Sequence, residues 1–89
     1  INIHPSLLPK YGGKGMYGSN IHKSVIENKE TESGISVHFV NQNYDEGKII
    51  LQEKCDVSNN ETVETLIQKI HKLEHNYFPA AIEETLKAL

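Results

Sequence analysis

The sequence predicts a small α/β domain made of a short strand, a helix, an antiparallel strand pair and a long carboxyl-terminal helix. Apolar and polar residues alternate over Ser33–Val40, which is typical of a strand with one apolar face. From Val63 onward, apolar residues recur at the three- and four-residue spacing of a helical stripe. Pro5 lacks a backbone N–H and disfavours helical geometry at the preceding residue, so a short strand should end at His4.

The first helix is indicated by Tyr17, Ile21 and Val25, which recur at every fourth position. Asn28 and Lys29 suit its carboxyl end. The glycine-rich segment 10–18 before it fits either a mobile loop that covers substrate or a plain surface loop.

Two strands should follow and pair antiparallel. In the first, Ile35, Val37 and Phe39 should share one face, with Ser36 and His38 on the other. The second covers Lys48–Val57, with Ile49, Leu51 and Cys55 on one side. Their connection, Asn41–Gly47, is longer than an ordinary hairpin loop, so it is either functional or a solvated acidic turn.

The last helix should begin at a capping box formed by Ser58 and Glu61, or at Thr62. We expect Pro79 to kink or interrupt it. Glu74 lies on the edge of its apolar stripe and either reaches solvent or faces a cleft. The stripe consists of Val63, Leu66, Ile67, Ile70, Leu73 and Tyr77, and the pattern resumes after the proline at Ile82, Leu86 and Leu89.

Composition narrows the class of protein. The chain has 89 residues and a formal net charge of -3, which gives no basic footprint for nucleic acid. It has no apolar run that could span a bilayer. Cys55 is its single cysteine, which suits a reducing cytoplasm and a half-buried structural position. Because the chain starts at Ile1 in what looks like a buried strand, we expect an amino-terminal part of the same domain to precede it.

Asn2 and His4 are the candidate catalytic pair. They lie two residues apart, so an extended strand turns them to the same side. An amide and an imidazole there could stabilise an oxyanion and move a proton. The alternative is a polar strand end that leads into a proline-bounded loop.

The predicted last helix also contains a motif that is found in some metal sites. His71 and His75 match the H-x-x-E-H arrangement of some zinc enzymes. Catalytic zinc needs a third protein ligand, and the short tail after His75 gives it no helical platform. We therefore interpret both histidines as surface or cleft residues and predict no metal.

The combined motifs resemble one enzyme family. In order they are N-I-H-P-S-L-L-P-K-Y, a glycine loop, G-I-S-V-H-F-V, a D-E-G turn, I-I-L-Q and E-H-x-x-F-P. This order resembles the carboxyl-terminal half of the phosphoribosylglycinamide formyltransferases, folate-dependent enzymes of purine synthesis with a Rossmann-like fold. The resemblance covers essentially the whole chain, whereas the family's phosphate-binding glycine loop belongs to the other half.

The resemblance implies roles for particular residues. Asn2, His4 and Asp45 look like the catalytic residues, and Glu74 looks like a contact to glycinamide ribonucleotide. The loop that would lie against 10-formyltetrahydrofolate comprises Asn41, Gln42, Asn43, Tyr44 and Asp45. A carboxylate at Asp45 close to the imidazole would favour its charged form.

Two other functions stay open at this stage. The chain could be a catalytically silent fragment or assembly module of that enzyme, or another folate-dependent formyltransferase or hydrolase of the same fold. Alone, the 89 residues should be inactive. They should be loosely folded, form a homodimer through the open edge of the first strand, or need the amino-terminal half in trans.

Overall fold

A computed structural model describes residues 1–13, 15–39 and 48–87 of the chain. Its elements follow the predicted order of strand, helix, two strands and long helix. They are β1 (Asn2–His4), α1 (Ser19–Glu27), β2 (Glu32–His38), β3 (Ile49–Asp56) and α2 (Val63–Lys87).

The described strands form one three-stranded sheet in the order β1-β2-β3. The predicted antiparallel pairing of β2 with β3 is confirmed. β1 also pairs antiparallel with β2, a neighbour that the sequence analysis did not assign to it. In that register Asn2 lies opposite His38, and His4 lies opposite Ser36. β1 is therefore an edge strand of the described sheet.

The hydrophobic core lies where the two helices meet β2. Ile35 of β2 is fully buried, as predicted for its face of the strand. The half-buried Cys55, Leu73 and Tyr77 pack around the core. The fully buried members are Ile21, Val25, Ile35, Leu66 and Ile70, which confirms the central part of each predicted stripe. The predicted continuation after the proline is wrong, because Ile82 and Leu86 are 39% and 64% exposed and Ala81 is the buried residue there.

Gly34 lets two strands and a loop meet closely. A Cβ atom there would lie 2.0 Å from the backbone oxygen of Glu53 and 2.7 Å from the Leu7 side chain. Since real Cβ atoms never approach a backbone oxygen so closely, only glycine fits this position.

Three sequence predictions need correction. Tyr17 is 70% exposed and precedes α1, which starts only after Gly18 because that glycine has a positive φ of 55°. Phe39 is 41% exposed, since the register shifts between Val37 and His38 and the strand ends there. Pro79 was predicted to kink or interrupt α2, and the interruption is wrong, because the helix runs through the proline to Lys87. Buried contacts on both sides of the proline, which include Ile70 and Ala81, outweigh its one missing donor.

The start of α2 combines both predicted caps. The Thr62 hydroxyl accepts the N–H of Thr65 at 3.2 Å, which is the bond of an N-cap residue. Glu61 accepts the N–H of Ser58 at 3.3 Å and pairs with Lys69 at 2.6 Å. The hydrogen bonds from Lys69 and Thr65 lower the pKa of Glu61 to about 2.

Candidate functional site

Polar side chains form a cluster on one face of the sheet. Residues directly opposite each other in antiparallel strands share a face. The register therefore puts Asn2, His4, Ser36, His38 and Gln52 on the same side. Ser36 and His38 were predicted to lie opposite the apolar face of their strand, and both are buried there. The loop that follows β1 covers this polar face.

His4 is held in a defined orientation. It is only 5% exposed, and its Nε2 lies 2.8 Å from the backbone oxygen of Tyr11. A carbonyl oxygen can only accept, so Nε2 must carry the proton of this hydrogen bond. The loop thus fixes both the plane of the ring and which nitrogen is protonated in its neutral form. Asn2, on the same face of β1, is exposed.

Ser36 anchors the loop that holds His4. Its hydroxyl donates to the backbone oxygen of Ser6 at 2.7 Å and accepts the backbone N–H of Leu8 at 2.9 Å. The Gln52 amide donates both to this hydroxyl and to the backbone oxygen of Leu8, at 2.9 and 2.8 Å. The Ser6 hydroxyl in turn donates to the backbone oxygen of Lys10 at 2.6 Å. Two strands therefore satisfy the backbone of the turn after β1.

Sequence reasoning did not identify Ser36, Gln52 or Tyr11 as part of the site. The available signal was the register: Ser36 and Gln52 occupy polar positions on adjacent strands and become direct partners once these strands pair. Tyr11 acts through its backbone oxygen, and side-chain chemistry in the sequence does not reveal such a contact.

The other predicted site residues lie elsewhere. Glu74 belongs to α2 and is half-buried at the border of the apolar stripe, as expected from its spacing. The predicted folate loop, Asn41–Asp45, lies outside the described residues, and so does Leu89. The structure therefore groups Asn2 with His4 and places Glu74 in the helical layer.

The two histidines of the H-x-x-E-H match are exposed on α2. His71 is close enough to the buried His22 of α1 to act on it electrostatically. Burial, together with the charge of His71, lowers the pKa of His22 below its ordinary value of 6.5. In the part of the chain that the structure describes, no group of three or more His, Cys, Asp or Glu side chains could hold a metal ion.

A cavity of about 410 Å³ lies beside the candidate catalytic pair rather than on it. Tyr11, Glu30 and Lys54 are among its lining residues, whereas Asn2 and His4 are not. It therefore borders the loop that orients His4 and does not itself mark the reacting centre.

Comparison with known proteins places the chain in a family. A family model described as formyl transferase matches residues 1–82. The chain belongs to the formyl transferase family. This confirms the resemblance that the motifs indicated. Across the residues that the structure describes, no helix is long and apolar enough to cross a membrane.

Relatives within the family carry one recurrent name. The chloroplastic phosphoribosylglycinamide formyltransferase of Arabidopsis thaliana is 44% identical over 91 residues, covering 98% of this chain and 31% of the relative. That of Bacillus subtilis is 41% identical over 86 residues, covering 97% and 42%. The solved structure of the enzyme from Bacillus halodurans has a TM-score of 0.83 at 35% identity, covering 96% and 41%. The chain thus spans only 31 to 42% of the length of these relatives.

Proposed function

We propose that the protein carrying this chain transfers a formyl group from 10-formyltetrahydrofolate to the amine of glycinamide ribonucleotide, a step of purine synthesis. The observation that carries this proposal is that Asn2 and His4 lie on the same face of β1. His4 is buried, and the loop that follows β1 orients its ring. Support comes from the relatives named phosphoribosylglycinamide formyltransferase, which align with nearly the whole chain.

The proposed chemistry follows from the two side chains. When the amine attacks the formyl carbon, negative charge develops on the formyl oxygen and the amine must lose a proton. The bond between the formyl carbon and the folate nitrogen then breaks, and that nitrogen takes up a proton and leaves as tetrahydrofolate. The Asn2 amide and a protonated His4 would stabilise that charge, and one such donor typically contributes about a hundred- to a thousand-fold in rate. In this arrangement Nε2 of His4 donates to the Tyr11 carbonyl, which keeps the ring oriented.

The remaining roles are proposed from the resemblance. Asp45 would favour the charged imidazolium or hold a water that carries the proton away from the amine. Residues 41–45 would lie against the folate. Glu74, a half-buried carboxylate on α2, would contact the ribonucleotide. No metal is needed for these steps.

The test is steady-state kinetics on the protein expressed from its complete gene. His4→Ala should lower kcat by about a hundred-fold or more and leave the KM for the ribonucleotide nearly unchanged. His75→Ala, which alters an exposed histidine of α2, is the control and should keep normal kcat. Glu74→Ala should instead raise the KM for the ribonucleotide more than that for the folate. Normal turnover in His4→Ala would refute the proposed catalytic role.

The same assay separates the other candidate functions. A hydrolase of this fold would release formate without an amine acceptor, and an assembly module would show no turnover with either substrate. We also propose a cytoplasmic location, because the only cysteine, Cys55, is free and half-buried. The Arabidopsis relative is chloroplastic, so cell fractionation is the direct check.

A further inference from the structure

The backbone at Tyr11 adopts an uncommon conformation. Its φ is 57°, in the left-handed region that residues with a side chain rarely enter. This turn directs the Tyr11 carbonyl to Nε2 of His4, 2.8 Å away. Such a conformation persists when surrounding contacts enforce it, and it tends to occur at functional sites. The contacts that enforce it here come from the end of α1.

Helix α1 ends in a rigid capping motif. The N–H of Lys29 bonds to the oxygen of Ile26 at 3.0 Å, and the N–H of Glu30 bonds to the oxygen of Val25 at 3.2 Å. Lys29 itself has a φ of 54°. These are the two hydrogen bonds and the left-handed residue of a Schellman motif. The motif fixes where Asn28 and Glu30 stand relative to the helix.

Both of these residues hold the Tyr11 side chain. The Tyr11 hydroxyl donates to Oε2 of Glu30 at 3.2 Å and accepts from Nδ2 of Asn28 at 3.0 Å. Lys10 donates to the same carboxylate oxygen at 3.2 Å. Glu30 is 25% exposed and Lys10 is 68% exposed, so the contact from Tyr11 is the better shielded of the two. We call Tyr11, Asn28 and Glu30 the tyrosine latch.

We propose that the tyrosine latch positions His4 for catalysis: Glu30 and Asn28 hold the Tyr11 ring, and the ring holds the backbone carbonyl that orients the imidazole. Glu30 is thus a positioning residue that acts on His4 through Tyr11. The catalytic part of this inference rests on the proposed function, whereas the structural coupling between Glu30 and His4 does not. Small displacements of a catalytic group cost rate, because the reacting atoms must be closely aligned.

The test follows the Nε2–H proton of His4 by NMR in the protein expressed from its complete gene. A ring proton on a buried imidazole that donates to a backbone carbonyl should exchange slowly with water. Tyr11→Phe, which keeps the ring but removes the hydroxyl, and Glu30→Ala should each raise its exchange rate at least tenfold and lower kcat about tenfold, with KM values changed less than twofold. Glu30→Gln keeps an acceptor for the Tyr11 hydroxyl, so the exchange rate of the His4 proton and kcat should stay close to those of the parent protein.

Glu32→Ala is the matched control. It removes a glutamate two positions away that pairs with Lys54 at 3.5 Å, outside the latch, and should leave both readouts unchanged. Unchanged exchange of the His4 proton in Tyr11→Phe and Glu30→Ala would overturn the latch, and so would an equal effect of Glu32→Ala. Tyr11→Phe decides alone if Glu30→Ala does not fold. Altered exchange in a protein with no formyl transfer would keep the latch and refute the proposed function.

Discussion

The hydroxyl of Ser36 donates a 2.7 Å hydrogen bond to the backbone oxygen of Ser6, a residue thirty positions earlier in the chain. The same hydroxyl also accepts the backbone N–H of Leu8. One small side chain in the middle of the sheet therefore satisfies a donor and an acceptor in the turn that follows β1. Because this turn leads directly from His4 to Tyr11, its anchoring sets the geometry of the candidate site.

Ser36→Ala should destabilise the protein by about 2 kcal/mol, because it leaves two buried backbone groups without their side-chain partner. Urea denaturation followed by circular dichroism measures the loss. Ser33→Ala is the control on the same strand: the Ser33 hydroxyl is buried without a hydrogen-bond partner, so its removal should be neutral or stabilising. Equal losses in the two variants would contradict the special role of Ser36.

The two helices and most of the core could be predicted from the sequence, because the spacing of apolar residues marks the buried face of a helix. The stripe that contains Leu66 and Ile70 faces inward as its spacing requires. The pairing of β1 with β2 could not be predicted in this way, since a three-residue strand carries almost no periodic signal. Burial of the polar face was also missed. Ser36 resembles a solvent-facing residue until the loop after β1 is seen to cover it.

The candidate site could also be predicted only in part, because some of its contacts appear only once the chain has folded. Asn2 and His4 follow from local geometry, because two residues along a strand always share a side. Tyr11 lies nearby in the chain but contacts His4 through its backbone oxygen, and Glu30, which binds the Tyr11 hydroxyl, lies at the end of a helix. Neither kind of contact has a sequence signature.

Lys29→Gly should stabilise the protein by about 1 kcal/mol. Lys29 has a positive φ of 54°, a conformation that costs a residue with a side chain about 1–2 kcal/mol and glycine almost nothing. Lys23→Gly, the same change in the middle of α1, should instead destabilise by about 1 kcal/mol. Thermal denaturation of both variants gives the comparison. Two shifts of the same sign would contradict the left-handed cap.

Folding stability should fall as the pH drops below 6.5, in part because of His22. This side chain is 4% exposed, and burial lowers its pKa below 6.5 in the folded protein. Between the two pKa values the unfolded chain binds the proton and the folded protein does not, so stability is lost as the pH falls. The slope from one group is at most about 1.4 kcal/mol per pH unit.

The measurement is the urea midpoint of the parent and of His22→Gln between pH 5 and pH 8. The variant should show a flatter dependence on pH, since it lacks the group that takes up the proton. His75→Gln is the control, because that histidine is exposed and should leave the slope unchanged. If the urea midpoint of His22→Gln changed with pH as steeply as that of the parent, the pH dependence of stability would have to come from other groups.

The 89 residues alone should not catalyse formyl transfer. Asn2 and His4 belong to an edge strand that pairs only with β2 in the described sheet. Such an edge exposes backbone donors and acceptors that attract another strand, and catalytic groups need packed support on both sides to keep their geometry. Related enzymes are more than twice as long as this chain, so they have additional structure to supply that support.

The measurement is the production of tetrahydrofolate in the formyl-transfer assay. The purified 89-residue chain is assayed first alone and then together with the amino-terminal segment of the Bacillus subtilis relative. We expect no activity alone and partial recovery in the mixture, because an added strand would pair with the open edge of β1. Sedimentation of the isolated chain tests whether a second copy pairs there instead and gives a dimer. Full activity of the isolated chain would show that β1 needs no further neighbour to hold Asn2 and His4 in place.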